Sequence, residues 1–331
     1  CISLHSSIIH TVSRLFISLF LATCTTMAEN DAIFALTHTK SGAKCSIHSY
    51  GATVISFQNE KGVECLYRSS IAKLDGSKAI RGGIPLVFPQ FGVNEANVGM
   101  PQHGFLRRST WELMESSKYD DDDSAGVSYK LQLKDVTEAR GTALWGGDDK
   151  GIDCTCVYTI KISGMKMITT LQFTNTGTKA FEFQTLQHTY FRVHEHAALD
   201  ATKCYVKGLD GYHLIDKISK TESTCGSDPV IIEKLTDRVY EPPSSGGKNQ
   251  VNVVVGVGNG STVNMIASGK VDGKDVPVAC VVWNPFKENA AAMSDFADDE
   301  YHDMICVEPG ILSGHSLEPG KVAELCQEIQ M

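Results

Sequence analysis

The alternation of apolar and polar residues with a period of two is the feature that most restricts how this chain can fold. One such run covers residues 154–162, a Ser-Gly turn leads into a second at residues 165–175, and a third covers residues 180–193. This spacing is typical of half-buried β-strands, because successive side chains of a strand point to opposite faces. The pattern therefore predicts a meander of antiparallel hairpins.

Shorter runs of the same kind recur along the chain, at residues 43–58, 109–115, 126–133, 251–255, 262–266 and 276–283. Helical spacing is confined to residues 287–296 and 135–142, and residues 241–250 are typical of a surface loop. The glycine-rich residues 256–260 are not followed by a helical pattern, so we interpret them as a hairpin turn rather than a dinucleotide site. We predict an all-β protein, one large antiparallel β-sandwich with few short helices.

The charge balance limits the class of partner. The formal net charge is −9, and the acidic residues are scattered apart from one run at residues 120–123. Nucleic acids and anionic membrane surfaces require a basic face, so neither is an expected partner. The charge of an anionic substrate would have to be met locally, by a few arginines.

The cysteines and histidines do not predict a metal site. None of the eleven cysteines forms a C-x-x-C pair, and no zinc-ligand spacing is present. We interpret the cysteines as reduced residues packed like small hydrophobes, which favours a reducing compartment. His194 and His196 have the spacing of two ligands on one strand, but the sequence offers no identifiable third ligand.

Residues 1–26 are predicted to lie outside the folded domain, which then spans residues 27–331. The chain begins with Cys1 rather than Met, and Met27 has the character of a true translation start. The preceding residues would then be a translated leader or the product of a mispredicted gene start. The alternative is a signal peptide, since Arg14 precedes the apolar run at residues 15–22. That run is far shorter than the ~20 residues that a membrane-spanning helix needs.

One strand carries an unusual number of polar residues. Continuous alternation over residues 180–196 would place five of them on one face: His188, Tyr190, Arg192, His194 and His196. Such a face either lines a cleft or lies exposed to solvent, and the pattern alone allows both.

Three glycine- and proline-containing segments could supply further polar groups to a pocket. They are RGGIP at residues 81–85, MPQHGFLRR at residues 100–108 and VEPG at residues 307–310. Glycine and proline fix turns that can aim neighbouring side chains. A glutamate at a strand end can act as a general base when burial raises its pKa, although it is also a common turn residue.

Taken together, these segments resemble the aldose 1-epimerase superfamily, and most closely its glucose-6-phosphate 1-epimerase branch. The resemblance covers the chain from about Ala32 to the C-terminus. The motifs that carry it, in chain order, are RGGIPLVFPQFG (81–92), PQHGFLR (101–107), LQHTYFRV (186–193), GLDGYHLIDK (208–217), VVWNP (281–285) and ICVEPG (305–310).

The resemblance implies a fold, a reaction and a set of site residues. The fold is the galactose mutarotase-like supersandwich, with a sugar cleft across one sheet. His188 and Glu308 match the catalytic pair. The substrate-binding positions are matched by Arg81, Gln102, Arg107 and Asp216, with His103 beside them. The chain departs from the family's pattern at Leu106 and Arg108. It also departs at residues 142–153, a segment that leaves the substrate range open because it could alter the rim of the cleft.

The implied reaction is the interconversion of the α and β anomers of a hexose 6-phosphate. Glu308 as carboxylate would take the proton of the anomeric hydroxyl, while protonated His188 gives one to the ring oxygen. Arg81 and Arg107 would hold the phosphate. No cofactor and no metal is required, and we expect a cytoplasmic monomer. The alternatives are an aldose 1-epimerase acting on free galactose or glucose, and a non-catalytic carbohydrate-binding module.

Overall fold

The computed structural model describes residues 32–93, 99–136, 151–243 and 249–331. These residues form three sheets, and every pair of strands in them is antiparallel. The predicted all-β class and antiparallel architecture are confirmed. The predicted leader, residues 1–26, and most of the helix predicted at residues 135–142 lie outside the described residues.

The largest sheet has ten strands. Its main order is β12-β16-β17-β21-β9-β8-β7-β5, with β18 paired to β17 and β6 paired to β7. The strands are β5 (Glu112–Leu113), β6 (Tyr119–Asp120), β7 (Ala125–Gln132), β8 (Cys154–Ser163), β9 (Lys166–Asn175), β12 (Cys204–Lys207), β16 (Val251–Val257), β17 (Thr262–Val271), β18 (Lys274–Val276) and β21 (Val322–Gln330).

The second sheet has eight strands and carries most of the residues that matter below. Its order is β14-β13-β15-β19-β20-β10-β4, and β11 pairs with β20. The strands are β4 (Leu86–Val87), β10 (Phe181–Gln187), β11 (Tyr190–Arg192), β13 (His213–Asp216), β14 (Thr221–Thr224), β15 (Thr236–Glu241), β19 (Ala279–Asn284) and β20 (Met304–Leu317). A third sheet contains β1 (Ile33–Thr37), β2 (Lys44–His48) and β3 (Thr53–Gln58).

The core follows from the period-two pattern. Every second residue of β8 and β9 is buried, so both strands turn one apolar face inward. Phe173 of β9 stacks on Phe88, which follows β4, with ring centroids 4.4 Å apart. This contact packs the ten-stranded sheet against the eight-stranded sheet.

The predicted strand at residues 180–193 is interrupted, which corrects the sequence prediction. β10 ends at Gln187 and β11 begins at Tyr190, so His188 and Thr189 lie between two strands. The alternating face also stops at Arg192, because Glu195 and His196 have φ angles of +59° and +58°. Left-handed backbone cannot continue a strand, and His194–His196 form a 3₁₀ turn.

Helical structure is short in the described residues. The helix predicted at residues 287–296 is present as α1 (Phe286–Ala292). The side chain of Asn284 accepts a hydrogen bond from the backbone N–H of Phe286 at 2.9 Å, which satisfies one donor at the start of the helix. Leu133–Asp135 and Leu106–Arg108 are 3₁₀ turns. No helix in this part of the chain is long and apolar enough to cross a membrane.

Gly104 should be irreplaceable in the loop that carries Gln102 and Arg107. Its φ is +70°, and an added Cβ would lie 1.9 Å from the carbonyl oxygen of Phe88. Because left-handed strain and overpacking add, we expect Gly104→Ala to lower the free energy of unfolding by about 2–4 kcal/mol in urea denaturation. Gly42→Ala is the control, with a φ of +79° and open space around the added Cβ. It should cost about 1 kcal/mol, and equal losses would contradict the steric argument.

Candidate active site

The pairing of β10 and β11 with β20 brings two ionisable residues face to face. The end of β10, from Thr185, and all of β11 share one register with β20, in which Tyr190 lies opposite Cys306. Continued by two residues, that register places His188 opposite Glu308. The two residues are 120 positions apart in sequence, and the antiparallel ladder makes them neighbours.

His188 and Glu308 are buried and in contact. Their side chains lie 3.3 Å apart, measured from Nδ1 of the histidine to Oε1 of the glutamate. His188 is 7% exposed and Glu308 is 1% exposed. The contact is not aligned as a hydrogen bond, and Nδ1 and Oε2 have no hydrogen-bond partner among the described residues.

Burial shifts both pKa values toward the uncharged forms. It lowers the pKa of His188 well below its ordinary value of 6.5, and the nearby His103, Arg107 and Arg81 lower it further. It also raises the pKa of Glu308 well above 4.5, an effect that Asp237 strengthens. The free protein therefore favours a neutral imidazole beside a protonated carboxyl. The catalytic roles expected from the sequence instead use Glu308 as a carboxylate and His188 as a protonated ring.

The pair lies in a cleft of about 320 Å³ on one face of the eight-stranded sheet. Six of the seven residues predicted from the sequence to form the site line this cleft. Two of the six, Gln102 and His103, come from the loop before the 3₁₀ turn at Leu106–Arg108. The lining consists of Arg81, Phe91, Gly92, Gln102, His103, Arg107, His188, Lys217, Asp237, Val281, Trp283, Asn289, Met293 and Glu308.

The two predicted arginines differ in how they are paired. Arg81 contacts Asp295, with Nη2 3.4 Å from Oδ1, and donates a hydrogen bond from Nη1 to the Tyr190 hydroxyl at 3.2 Å. Tyr190 and Asp295 raise the pKa of Arg81. The Tyr190 ring in turn stacks on His188, with centroids 4.8 Å apart.

Arg107 has no carboxylate partner among the described residues. Its Nη2 donates to the backbone carbonyl of Gln102 at 2.9 Å, while its buried Nε has no partner in that part of the chain. Burial lowers the pKa of Arg107 to about 10. Even a half-buried cation without an opposite charge is costly, so this guanidinium favours an anion in the cleft.

His103 is held as a neutral ring. Its Nδ1 accepts a hydrogen bond from the backbone N–H of Gly92 at 3.1 Å, which leaves the ring proton on Nε2. Burial, with contributions from Arg107 and Lys217, lowers its pKa to about 2. The ring packs edge-on against His188, with centroids 5.7 Å apart. His103 is thus a fixed hydrogen-bond donor at the base of the cleft.

Asp216 is the predicted residue that does not line the cleft. Its Oδ2 accepts a hydrogen bond from Nε of Arg238 on the neighbouring strand at 3.0 Å. Its Oδ1 accepts from the backbone N–H groups of Ile218 and Ser219, both at 3.0 Å. These contacts fix the turn after β13.

The model of the family described as aldose 1-epimerase matches residues 33–330. The chain belongs to the aldose 1-epimerase family.

Curated relatives agree with this assignment, and a solved structure shares the fold. A protein of Cenchrus ciliaris named "Putative glucose-6-phosphate 1-epimerase" is 29% identical over 285 residues, covering 83% of this chain and 77% of the relative. A protein of Escherichia coli K12 with the same name is 27% identical over 293 residues, covering 87% of each chain. A crystal structure of a "putative mutarotase" from Salmonella typhimurium has a TM-score of 0.69 at 24% identity, over 90% of this chain and 89% of that chain.

Lys217, Asp237 and Trp283 are among the cleft residues of this aldose 1-epimerase family member that were not predicted from the sequence. Lys217 lies at the rim, with Nζ 4.1 Å from the centroid of the Phe91 ring and 3.7 Å from Oδ1 of Asp237. Asp237 of β15 pairs with Trp283 of β19, and the Trp283 ring meets His188 edge-on. The sequence shows apolar–polar alternation within β15 and β19, which predicts strands there. It does not show that these strands pair with each other and with β20, which carries Glu308.

Two other polar regions lie away from this cleft. His196 contacts Asp303 through Nδ1 at 3.0 Å and Asp299 through Nε2 at 3.1 Å, and it stacks on His302 at the surface. His194 does not join this cluster as a ligand. A larger cavity of about 670 Å³ has no histidine, arginine or glutamate in its lining. It therefore lacks acid–base chemistry of the kind seen at the His188–Glu308 cleft.

The raised pKa of Glu308 makes a prediction about stability. The folded protein binds this proton more tightly than the unfolded chain, so Glu308 costs stability as pH rises from 4.5 through the raised folded pKa. We expect Glu308→Gln to be more stable than the native protein at pH 8 and to lose that advantage as pH falls to 4.5. Thermal unfolding across this range measures the difference. The exposed Glu112 provides a control, Glu112→Gln, which should show no such trend. A Glu308→Gln protein less stable at pH 8 would mean that the fold stabilises the carboxylate.

Proposed function

We propose that this protein interconverts the α and β anomers of hexose 6-phosphates, with glucose 6-phosphate as the favoured substrate. The observation that carries the proposal is the buried pair of His188 and Glu308 at the base of a cleft that also holds Arg107, a cation without a carboxylate partner. The pair suits proton transfer at a sugar ring, and the arginine suits a phosphate.

Anomer exchange requires two proton transfers. In ring opening, the proton on O1 is removed and a proton is delivered to the ring oxygen as the bond from C1 to that oxygen breaks. The aldehyde then rotates about the C1–C2 bond, and the reverse transfers close the ring on its other face. We assign the O1 proton to Glu308 and the ring-oxygen proton to His188. The overall reaction moves no electrons and transfers no group, so these two residues suffice.

The pair shares one proton, and its two charge states suit the two forms of the sugar. Neutral His188 beside protonated Glu308 suits the open aldehyde, because the carboxyl can donate to O1 while the imidazole accepts from the released hydroxyl. The ionic state suits the closed ring. It forms when a proton passes from the carboxyl of Glu308 to the imidazole of His188. The nearest atoms of the two groups, Oε1 and Nδ1, lie 3.3 Å apart. Burial favours the neutral state.

Charge supports a phosphate ester as the substrate. The chain carries a net charge of −9, so an anion approaches against the mean field and must be captured locally. Arg107 offers a guanidinium without a carboxylate partner in the described residues, and Arg81 and Lys217 add positive charge around the same cleft. Arg81 is already paired with Asp295, and Lys217 with Asp237. We therefore assign the principal phosphate contact to Arg107.

A hydrophilic cleft of this kind also fits a free sugar, which is the second candidate substrate. Trp283 and the neutral donor His103 line the cleft and would serve any hexose. NMR exchange between anomers, measured with glucose 6-phosphate and with glucose, separates the two. A kcat/KM that favours glucose over its 6-phosphate would contradict the proposal, and no acceleration with either sugar would favour a non-catalytic module.

We also infer that the protein works in a reducing compartment, the cytoplasm. All nine cysteines of the described residues are free. The sulfur atoms of Cys154 and Cys156 lie 3.9 Å apart in the core without a bond between them. Free thiols in such number are typical of proteins that fold where disulfides do not persist.

Replacing either member of the pair should slow turnover without unfolding the protein. We expect His188→Asn and Glu308→Gln each to lower kcat by roughly 10²–10⁴-fold, or about 3–5 kcal/mol of barrier. Because both residues act in one proton-transfer step, the double variant should lose much less than the product of the single losses. Anomer exchange by NMR measures the rates, and circular dichroism checks the fold. Normal turnover in one variant would remove that residue from the mechanism.

Arg107 should select for the phosphate. A charge-assisted contact is worth about 1.5–3 kcal/mol, so Arg107→Ala should raise KM for glucose 6-phosphate by about one to two decades at 1.36 kcal/mol per decade. The weak activity on free glucose should hardly change. Arg108→Ala is the matched control, because this neighbouring arginine is exposed and does not line the cleft. An equal loss on both sugars would show that Arg107 organises the cleft instead.

A further inference from the structure

A buried cysteine lies beside the catalytic pair. Cys306 precedes Glu308 by two residues on β20, so the two side chains project from the same face of the sheet. The sulfur of Cys306, a ring nitrogen of His188 and a carboxylate oxygen of Glu308 all lie within 4.8 Å of one another. All three residues are buried. Proton transfer on the sugar does not use the thiol, so its place in this group is unexplained by the proposed function.

The spacing of the polar atoms matches a tetrahedral metal site. Nδ1 of His188 lies 3.3 Å from Oε1 of Glu308 without forming a hydrogen bond, and Oε2 has no partner among the described residues. Two ligand atoms bound to zinc at ~2.0–2.1 Å in tetrahedral geometry are separated by ~3.3 Å. Nitrogen, oxygen and sulfur together form a ligand set that zinc accepts. The short distance from Nδ1 to Oε1, together with unpaired buried atoms on both residues, favours a cation at this position.

We propose that His188, Cys306 and Glu308 bind a thiophilic divalent cation, Zn²⁺ or a similar ion, and that the bound ion inhibits the enzyme. The ion would enter through the cleft and occupy both proton-transfer residues, which leaves neither free to act on a sugar. On binding, the Cys306 thiol and the Glu308 carboxyl each release a proton to solvent, while His188 coordinates as the neutral imidazole. Three protein ligands leave a fourth position for water.

Cobalt provides a direct test, because a thiolate bound to Co²⁺ gives a charge-transfer absorption band in the near ultraviolet. We expect titration of the full chain with Co²⁺ to produce this band, and Zn²⁺ to displace it. Cys306→Ser should abolish the band and weaken Co²⁺ binding by at least about tenfold, since even changes around a ligand shell cost roughly 10–100-fold. The surface cluster of His196, Asp299 and His302 contains no thiol and cannot produce the band.

Cys280→Ser is the matched control. Cys280 is equally buried and lies on the adjacent strand β19, but its side chain packs into the main core and its sulfur is not part of the group formed by His188, Cys306 and Glu308. This variant should keep the band. Circular dichroism checks the fold of Cys306→Ser, and a second variant, Glu308→Gln, tests the site independently of the thiol. Glu308→Gln retains the thiol, and it should keep a band but bind Co²⁺ more weakly.

The inhibition is measured separately from the binding. Zn²⁺ should stop anomer exchange at the concentration that displaces Co²⁺, and a chelator should restore it. A band that survives in Cys306→Ser, or the absence of any band in the native chain, would overturn the metal site. Binding without inhibition would overturn the inhibitory role. If the protein proved not to exchange anomers, the optical titration would still decide the site.

Discussion

The pairing of β10 and β11 with β20 is the constraint on which the rest of the site depends. The register that these strands share around residues 185–192 places His188 opposite Glu308, where both side chains are buried at the base of the cleft. A slip of one residue would turn every side chain of the strand to the opposite face and separate the two groups. Once they are buried together, low polarity disfavours both charged forms. The neutral, single-proton pair therefore follows from the ladder itself.

Burial of His188 and Glu308 lowers the stability of the fold, and it leaves polar atoms unpaired that can bind protons or a cation. A buried polar atom without a partner costs about 1–3 kcal/mol, and both His188 and Glu308 carry one. The large antiparallel sheets around them offset that cost. The same unpaired atoms can exchange protons with a sugar and, together with Cys306, offer lone pairs to a soft cation. Sensitivity to zinc is thus a consequence of how the proton-transfer site is built.

The charge of the cleft differs from the charge of the whole molecule. The chain is acidic, yet Arg81, Arg107 and Lys217 converge on one small volume. Each cation has a different environment, since Arg81 is paired with Asp295 and Lys217 with Asp237. Only Arg107 of these three has no carboxylate partner within the described residues. Selectivity for an anionic ester can therefore rest on one guanidinium, while the paired cations shape the field around it.

The sequence by itself determined the strand content, the antiparallel class and six of the fourteen residues that line the cleft, because period-two alternation and glycine–proline turns are local properties. His188, Glu308, Arg81 and Arg107 could be named from motifs before their positions were known. Tertiary structure decided the interruption at residues 188–189, since a broken and a continuous strand show the same alternation.

The tertiary structure also decided the environment of each charged side chain in and around the cleft. Asp237 and Lys217 enter the cleft, and Asp216 binds Arg238, through pairings between strands distant in sequence. The proton distribution of the pair was likewise beyond the sequence. Desolvation depends on how deeply the folded sheets bury a group, and alternation reveals only which face a side chain occupies.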